Sequence, residues 1–266
     1  MTLEAPGKHG LEGWVSVIEN RWKNIPEFKV DPGKFKHLAI ICDGNRRSAK
    51  NKGLAAYEGH RLGLEVIRGT MLACKQWDIR HLTFWAWSTE NWKRDKEQIG
   101  FVMNLAAKYL RDEKAIAPII ENSVRFHQIG RSDRLPSEVR GAVTDLEKRT
   151  SSFDGFHVNL ALDYGGADEM ARAVGRMIEA GLRPEEVSQN PGLILEYLDT
   201  AGQPLPDLVI RTGTNKGEIP HTSGFMPIQT AYSGWEFIPD LFPDLTPESL
   251  LPPIQNFIDY ERRQGK

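Results

Sequence analysis

The sequence is poor in several features that would each have pointed to a function. It holds only two cysteines, Cys42 and Cys74, both in apolar patterns. No disulfide framework is therefore available, and small buried thiols in a reducing compartment are expected. There is no CxxC pair, no HExxH and no group of histidines at metal-ligand spacing, which removes the common zinc and thiol-redox sites. No apolar run approaches the roughly 18 residues of a membrane span. The N-terminus lacks the basic-then-apolar layout of a secretory signal, so a soluble cytoplasmic protein is expected. Positive charge is not in excess: Lys plus Arg number 34 and Asp plus Glu 36, a formal charge of −2. A general nucleic-acid binder carries a basic footprint, so no nucleic-acid partner is expected, although a local basic pocket stays open. A glycine-rich dinucleotide fingerprint, a P-loop, internal repeats and low-complexity tracts are absent as well.

What is present is an alternation of apolar runs and helical stripes over 266 residues, enough for one large α/β domain. His37–Ile41 is a short, nearly unbroken apolar run cut off by Asp43-Gly44-Asn45-Arg46-Arg47, which reads as a buried strand ending in a tight turn. Residues 80–87 are apolar on both faces, as a central parallel strand should be. Further strands are expected at 123–129, 156–162, 208–210 and 235–238. Helices are expected at 11–25, 57–77, 95–121 (as one long helix), 137–149, 168–179, near 193–199, near 226–232 and at 247–262. Strands alternating with helices predict an α/β fold: a single domain with a mostly parallel central sheet of about six strands flanked by helices. Residues 1–34 form an N-terminal helix and linker, and residues 35–266 the domain that would carry any chemistry. The stripe at 11–25 suits packing on its own domain better than a membrane surface, because its flanks carry little positive charge.

Four strand ends carry polar turns: Asp43–Arg47, Ser88–Arg94, Asp163–Gly166 and Arg211–Gly213. Taken alone, Asp-Gly-Asn is more simply a solvated surface turn. In a parallel sheet, however, all four ends lie along one edge, where ligands bind. Together they supply one candidate metal carboxylate, Asp43, and the phosphate-capable cations Arg47, Arg94 and Arg211, with Asn91 and Ser223 as further donors. Behind that edge stand Phe84, Trp85, Trp87, Met103 and Tyr109. A cationic mouth over an apolar interior suits an amphiphile with an anionic head and a hydrocarbon tail. Phe84 and Trp85 point to opposite faces of one strand, so at most one of them lines any pocket.

The ordered motifs carry a family resemblance. His37-Leu38-Ala39-Ile40-Ile41, Asp43-Gly44-Asn45-Arg46-Arg47, Gly59-His60, Ala86–Arg94, Asp163-Tyr164-Gly165-Gly166, Pro206–Gly213, Ser223-Gly224-Phe225, Leu241–Asp244 and Glu261–Gly265 together resemble the cis-prenyltransferases, the undecaprenyl and dehydrodolichyl diphosphate synthases. The resemblance runs from about residue 36 to 265 and implies an undecaprenyl diphosphate synthase-like fold. It implies Mg²⁺-assisted ionisation of an allylic prenyl diphosphate, attack by isopentenyl diphosphate, and proton loss to leave a cis double bond. By position, Asp43 would govern Mg²⁺ and diphosphate departure, with Asn91 as its catalytic companion. Gly44, Asn45 and Arg47 would cradle the allylic diphosphate, with His60, Trp87 and Arg94 nearby. Arg211, His221 and Ser223 would hold isopentenyl diphosphate, and Arg263 would reach a partner subunit's site in a homodimer. Peripheral contact with a membrane would come through the product.

This chain also departs from the family pattern. Ala56 stands where an arginine for the allylic diphosphate is usual, and Ser48 where Trp or Tyr is common. The segment from Arg211 to Ser223 is longer than usual, and its second arginine falls on His221 or Lys216. Gly234 replaces a metal-binding glutamate, with Glu236 two residues on as a substitute that shares its strand face. The altered isopentenyl region keeps open a variant synthase making branched or cyclised short products; a non-catalytic subunit of a heteromeric enzyme is the other reading, and the Asp43-Gly44-Asn45 stretch, which such subunits usually lose, argues against it. Product length and the preferred primer are left open by the sequence.

Overall fold

The computed structural model describes residues 10–260. Six strands form one all-parallel sheet: β1 (His37–Ile41), β2 (His81–Ser88), β3 (Val124–Ile129), β4 (Phe156–Tyr164), β5 (Leu208–Arg211) and β6 (Gly234–Phe237). Their order is β3-β4-β2-β1-β5-β6. From β1 the chain moves to β2, then to the edge at β3 and back between them as β4, and later crosses to the other side of β1 for β5 and β6. The crevice of such a sheet opens where the order reverses, at the carboxyl end of β1. All five residues of β1 are buried, which is why they read as an unbroken apolar run.

Nine helices surround the sheet among the described residues: α1 (Leu11–Arg21), α2 (Asn45–Asn51), α3 (Gly59–Gln76), α4 (Lys96–Arg111), α5 (Glu113–Glu121), α6 (Ser137–Thr150), α7 (Gly166–Glu179), α8 (Pro184–Gln189) and α9 (Pro247–Asp259). The larger core lies on one face of the sheet, where Phe84, Leu160 and Ile210 meet the helices α1, α3, α4, α5, α6 and α9. The smaller core lies on the other face, where Ala39, Ile41, Trp85 and Val209 meet Phe225, Met226 and Tyr164. No described helix is long and apolar enough to cross a membrane.

Several expected elements differ in the structure. The single helix expected over 95–121 is two, because Asp112 adopts an extended conformation and its carboxylate accepts from the N–H groups of Lys114 and Ala115, capping a new helix. The strand expected to end at residue 162 continues to Tyr164. The helix expected near 226–232 is a run of turns, and the stretch near 193–199 is a 3₁₀ segment, Pro191–Tyr197. A short helix, α8, lies in ground expected to be irregular.

One irregularity in β2 decides which way its aromatic side chains face. Trp85 pairs with Ala161 and Trp87 with Leu162, so Ala86 is an extra residue with no partner of its own on β4. Such a bulge reverses the alternation of side chains beyond it. Trp87 therefore joins Phe84 on the large-core face, while Trp85 stays on the other face, stacked on Phe225 at 4.9 Å.

Candidate active site

The carboxyl ends of β1, β2 and β5 bound a cavity of about 760 Å³. Among the residues that line it are Arg46, Arg47, Lys50, Arg94 and Arg211, five cations, against only two carboxylates, Asp43 and Glu90. A chain of net negative charge has thus concentrated positive charge in one concavity. Such a cavity attracts a polyanion.

Asp43 is held from below and left open above. Its backbone N–H donates to the Thr212 hydroxyl at 3.0 Å, and that hydroxyl lies 2.8 Å from the Asp43 carbonyl oxygen; Thr212 is fully buried. Its carboxylate accepts from Arg47 Nη2 at 3.2 Å on one oxygen and from Arg211 Nη2 at 3.0 Å on the other. Gly44 then turns the chain with φ +104°, and a Cβ there would lie 2.9 Å from the Leu241 backbone. Only glycine meets both demands. Helix α2 starts at once and carries Asn45, Arg46, Arg47 and Lys50 along the cavity wall. Arg94 lies over the Trp87 ring, 5.2 Å from its centroid, which joins the mouth to the apolar interior. Burial and Arg46 pull the Arg94 guanidinium below its ordinary range and Asp43 raises it; it stays charged.

Arg211 is fully engaged. Its Nη1 donates to the Ser223 hydroxyl at 2.7 Å and to the His221 carbonyl at 2.8 Å, and lies 3.1 Å from His221 Nδ1. The long segment after β5 thus folds back onto the arginine, and His221 caps it.

A second, apolar cavity of about 110 Å³ continues beneath the mouth, between the large-core face of the sheet and helices α3, α4 and α5. Cys42, Asn45, His60 and Ala86 line both cavities and form the neck between them. His60 Nδ1 lies 3.0 Å from the Tyr57 carbonyl oxygen, so this nitrogen carries the hydrogen and Nε2 is the acceptor. Burial, aided by Arg94 and Arg46 and opposed by the Tyr57 bond, lowers the His60 pKa to about 4, and the ring is neutral at physiological pH. Burial and Asp43 push the Cys42 thiol well above its ordinary value, which keeps it protonated.

The sequence-derived candidates sort cleanly by position. Asp43, Gly44, Asn45, Arg47, His60, Asn91, Arg94, Arg211 and Ser223 line the mouth. Trp87 lines the apolar cavity, and His221 bonds Arg211. Arg263 lies outside the described residues. Glu236 is not brought to the cavity. It pairs with Ile210 on the large-core face, whereas Arg211 lies on the opposite face beside Phe237. Gly234 shares the face of Glu236, and a Cβ there would lie 2.8 Å from the Phe257 ring of α9, so side chains on this face of β6 run toward that helix. The Asp163–Gly166 run is not part of the mouth either: Asp163, within β4, is fully buried and takes a two-pronged bond from Arg134. Of the expected aromatic wall, Phe84, Trp87, Met103 and Tyr109 line the apolar cavity, and Trp85 does not. Glu90 and Cys42 were not among the candidates. Glu90 sits inside the Ser88–Arg94 run and was detectable there, whereas nothing in the sequence marks Cys42 as more than core.

Comparison with known proteins agrees with this architecture. The undecaprenyl diphosphate synthase family, Prenyltransf, matches residues 41–265. An isoprenyl transferase of Wolinella succinogenes is 38% identical over 232 residues, covering 87% of this chain and 97% of its own. One of Thermus thermophilus is 38% identical over 240 residues, covering 87% and 89%. The crystal structure of lavandulyl diphosphate synthase from Lavandula x intermedia, in complex with dimethylallyl diphosphate, superposes with a TM-score of 0.79 at 29% identity, covering 89% of this chain and 100% of that one. A probable undecaprenyl diphosphate synthase from Campylobacter jejuni gives 0.70 at 33% identity, covering 87% and 99%.

Proposed function

The chain belongs to the undecaprenyl diphosphate synthase family of prenyltransferases, and from that membership we propose that it condenses isopentenyl diphosphate with an allylic prenyl diphosphate to form a Z-configured polyprenyl diphosphate. The observation that carries this reading is the junction of a five-cation mouth with an apolar cavity through a neck formed by four residues. One ligand with a diphosphate head and a hydrocarbon tail fits both compartments at once.

The residues present suit Mg²⁺. The ion is commonly held by one or two carboxylates together with substrate phosphates, and Asp43 presents one carboxylate to the cavity. Among the described residues no group of three or more His, Cys, Asp or Glu side chains could hold a metal alone, so Asp43 would share the ion with diphosphate oxygens. When bound, the ion supplies positive charge to the leaving diphosphate.

In this reading the allylic C–O bond breaks and its electron pair leaves with the diphosphate, which Arg46, Arg47, Lys50 and Arg94 receive as negative charge develops. Gly44 and Asn45 shape the bed beneath it, and Asn91 orients the head group. The double bond of isopentenyl diphosphate supplies the pair for the new carbon–carbon bond. The proton lost from its C2 leaves toward the neck, where the neutral Nε2 of His60 is a nitrogen base. Trp87 and the other apolar walls keep water from the cationic carbon. Arg211 and Ser223 hold the acceptor's diphosphate once His221 has yielded its place on Arg211. A homodimer belongs to the same proposal, and light scattering would then give about twice the 30.1 kDa of one chain. So does a cytoplasmic enzyme that meets a membrane only through its product.

A second reading has its own observation. Arg211 is already engaged by His221 and Ser223, and the lavandulyl diphosphate synthase structure holds dimethylallyl diphosphate. A chain with an altered acceptor site would join two allylic diphosphates into a branched product. Retention of Asp43-Gly44-Asn45 with its cation bed counts against a non-catalytic subunit. The test is incubation with an allylic diphosphate, labelled isopentenyl diphosphate and Mg²⁺, read by product mass. Label in the product is expected. Turnover of dimethylallyl diphosphate alone would favour the branched reading, and no turnover with any primer would overturn both.

A further inference from the structure

Apart from the Trp87 indole, the apolar cavity has polar groups only at its two ends. Asn45 and His60 stand at the mouth, and Arg68 and Tyr109 stand where the cavity meets a third, charged cavity of about 470 Å³ between α1, α3, α4 and α5. Leu105 and Ala115 are shared across this same boundary. The charges there are matched, with the carboxylate of Glu65 buried among partly exposed arginines. Glu65, only 6% exposed, accepts from Arg61 Nη1 at 2.5 Å. Arg68 Nη1 lies 3.7 Å from the other Glu65 oxygen and 3.6 Å from Glu19 of α1, and Arg68 Nε is buried with no hydrogen-bond partner. Burial and the nearby Glu65 push the Tyr109 hydroxyl well above its ordinary value, so it stays neutral and polar.

We propose that this polar septum is the length stop for the hydrocarbon tail, and that the enzyme makes a short-chain prenyl diphosphate rather than a long carrier lipid. A chain elongated from the mouth advances through the apolar cavity until its tail meets Tyr109 and the Arg61–Glu65–Arg68 cluster. One more five-carbon unit would have to push into paired charges and separate them. Stripping an ion pair of its partner and its water costs more than burying a few methylene groups returns. Helix α1 takes part through Glu19, which lies 3.6 Å from Arg68 Nη1 on the outer, partly exposed side of the septum. The small volume of the apolar cavity, about 110 Å³ against about 760 Å³ for the mouth, points the same way.

The inference rests on the prenyl-transfer reading, and the experiment separates the two. The full chain is incubated with dimethylallyl or geranyl diphosphate, labelled isopentenyl diphosphate and Mg²⁺, and product lengths are read by mass at matched turnover. If the wild type yields no prenyl product from any allylic diphosphate, the underlying reading fails. If it yields long polyprenyl products, the septum does not stop elongation and the proposal is overturned. With a short wild-type product, Tyr109→Ala and Arg68→Leu are expected to lengthen the longest product by at least one five-carbon unit. Ala115→Trp, at a half-buried boundary position, is expected to shorten it by one. Melting curves show which variants fold. Should the two opening variants fail to fold, Ala115→Trp and the wild-type length decide. An unchanged longest product in folded variants overturns the proposal.

Discussion

Two clusters of the same composition stand at opposite ends of one apolar cavity, and they differ in balance and exposure. At the mouth, Asp43 bonds Arg47 and Arg211 while three more cations line the same space, and its side chain is 37% exposed. At the far end, Glu65 is paired with Arg61 and Arg68, Glu19 balances them from outside, and Glu65 is almost fully covered. A carboxylate among surplus cations is an incomplete site, with positive charge left for a ligand to satisfy. A carboxylate among matched cations is already satisfied and needs no ligand. Surplus charge and exposure, rather than the presence of ion pairs, therefore distinguish the binding end from the closing end.

The sharpest way to break this contrast is to remove one carboxylate at each end. Asp43→Ala is expected to lower turnover by about 10²–10³-fold, as loss of a group acting on developing charge does. Its unfolding midpoint should move little, because the Asp43 side chain is 37% exposed and the buried Arg211 keeps its bonds to Ser223 and His221. Near-normal turnover in steady-state assays would remove Asp43 from the chemistry. Glu65→Gln should show the opposite pattern, since it leaves two arginines facing a neutral group. A loss of ~1–3 kcal/mol in urea unfolding is expected, since water partly solvates the arginines left behind, and a loss below about 0.5 kcal/mol would mean that the far cluster is as solvated as the mouth.

Acid should act on the mouth end and on the sheet, not on the septum, whose cavity has no histidine in its lining. Burial depresses His60 and His37 to about 4 and His81, with help from the adjacent His37, His157 and Arg80, to about 3, from an ordinary 6.5. The unfolded chain takes up these protons more readily than the folded one. Their stability contribution is thus complete above pH 6.5 and is lost as pH falls toward 4. Chemical denaturation at pH 7, 6, 5 and 4 should show a steady decline, and His60→Gln should flatten part of it. A pH-independent stability over that range would contradict the buried neutral rings. Salt should give the smallest effect: KM for the diphosphate substrates rises with ionic strength at the cationic mouth, while the melting temperature changes little. A KM indifferent to salt would mean that the surplus cations do not steer the substrate.

How much of this was readable in advance depended on which physical signal each part carries. The parallel sheet was legible because strands buried on both faces leave continuous apolar runs, as in His37–Ile41. The mouth was legible because its residues are contiguous in sequence at strand ends, from Asp43 to Arg47 and from Ser88 to Arg94. The far cluster was not. Arg61, Glu65 and Arg68 have the spacing of ordinary charges on a helix surface, and only the elements closing over them bury Glu65. Glu236 was placed on the correct face relative to Gly234, but which face looks at α9 depends on the pairing with β5, which sequence alone does not supply. The break at Asp112 was hidden because the apolar stripe continues on both sides of it, while the cap depends on a single side chain turning back to the backbone.

The bulge at Ala86 has a consequence for how this enzyme can change. Strand β2 holds Trp85 under the mouth and Phe84 and Trp87 over the hydrocarbon pocket, with Arg94 on the indole of Trp87, because Ala86 has no partner on β4; the register is restored one step later, where Ser88 pairs with Tyr164. Exchanging these side chains alters the shape of one compartment at a time. Straightening the bulge with Ala86 in place would instead return Trp87 to the face of Trp85, taking the indole from the pocket and from Arg94 the ring it lies over. This strand should therefore tolerate exchange of its side chains over evolutionary time more readily than loss of the bulge.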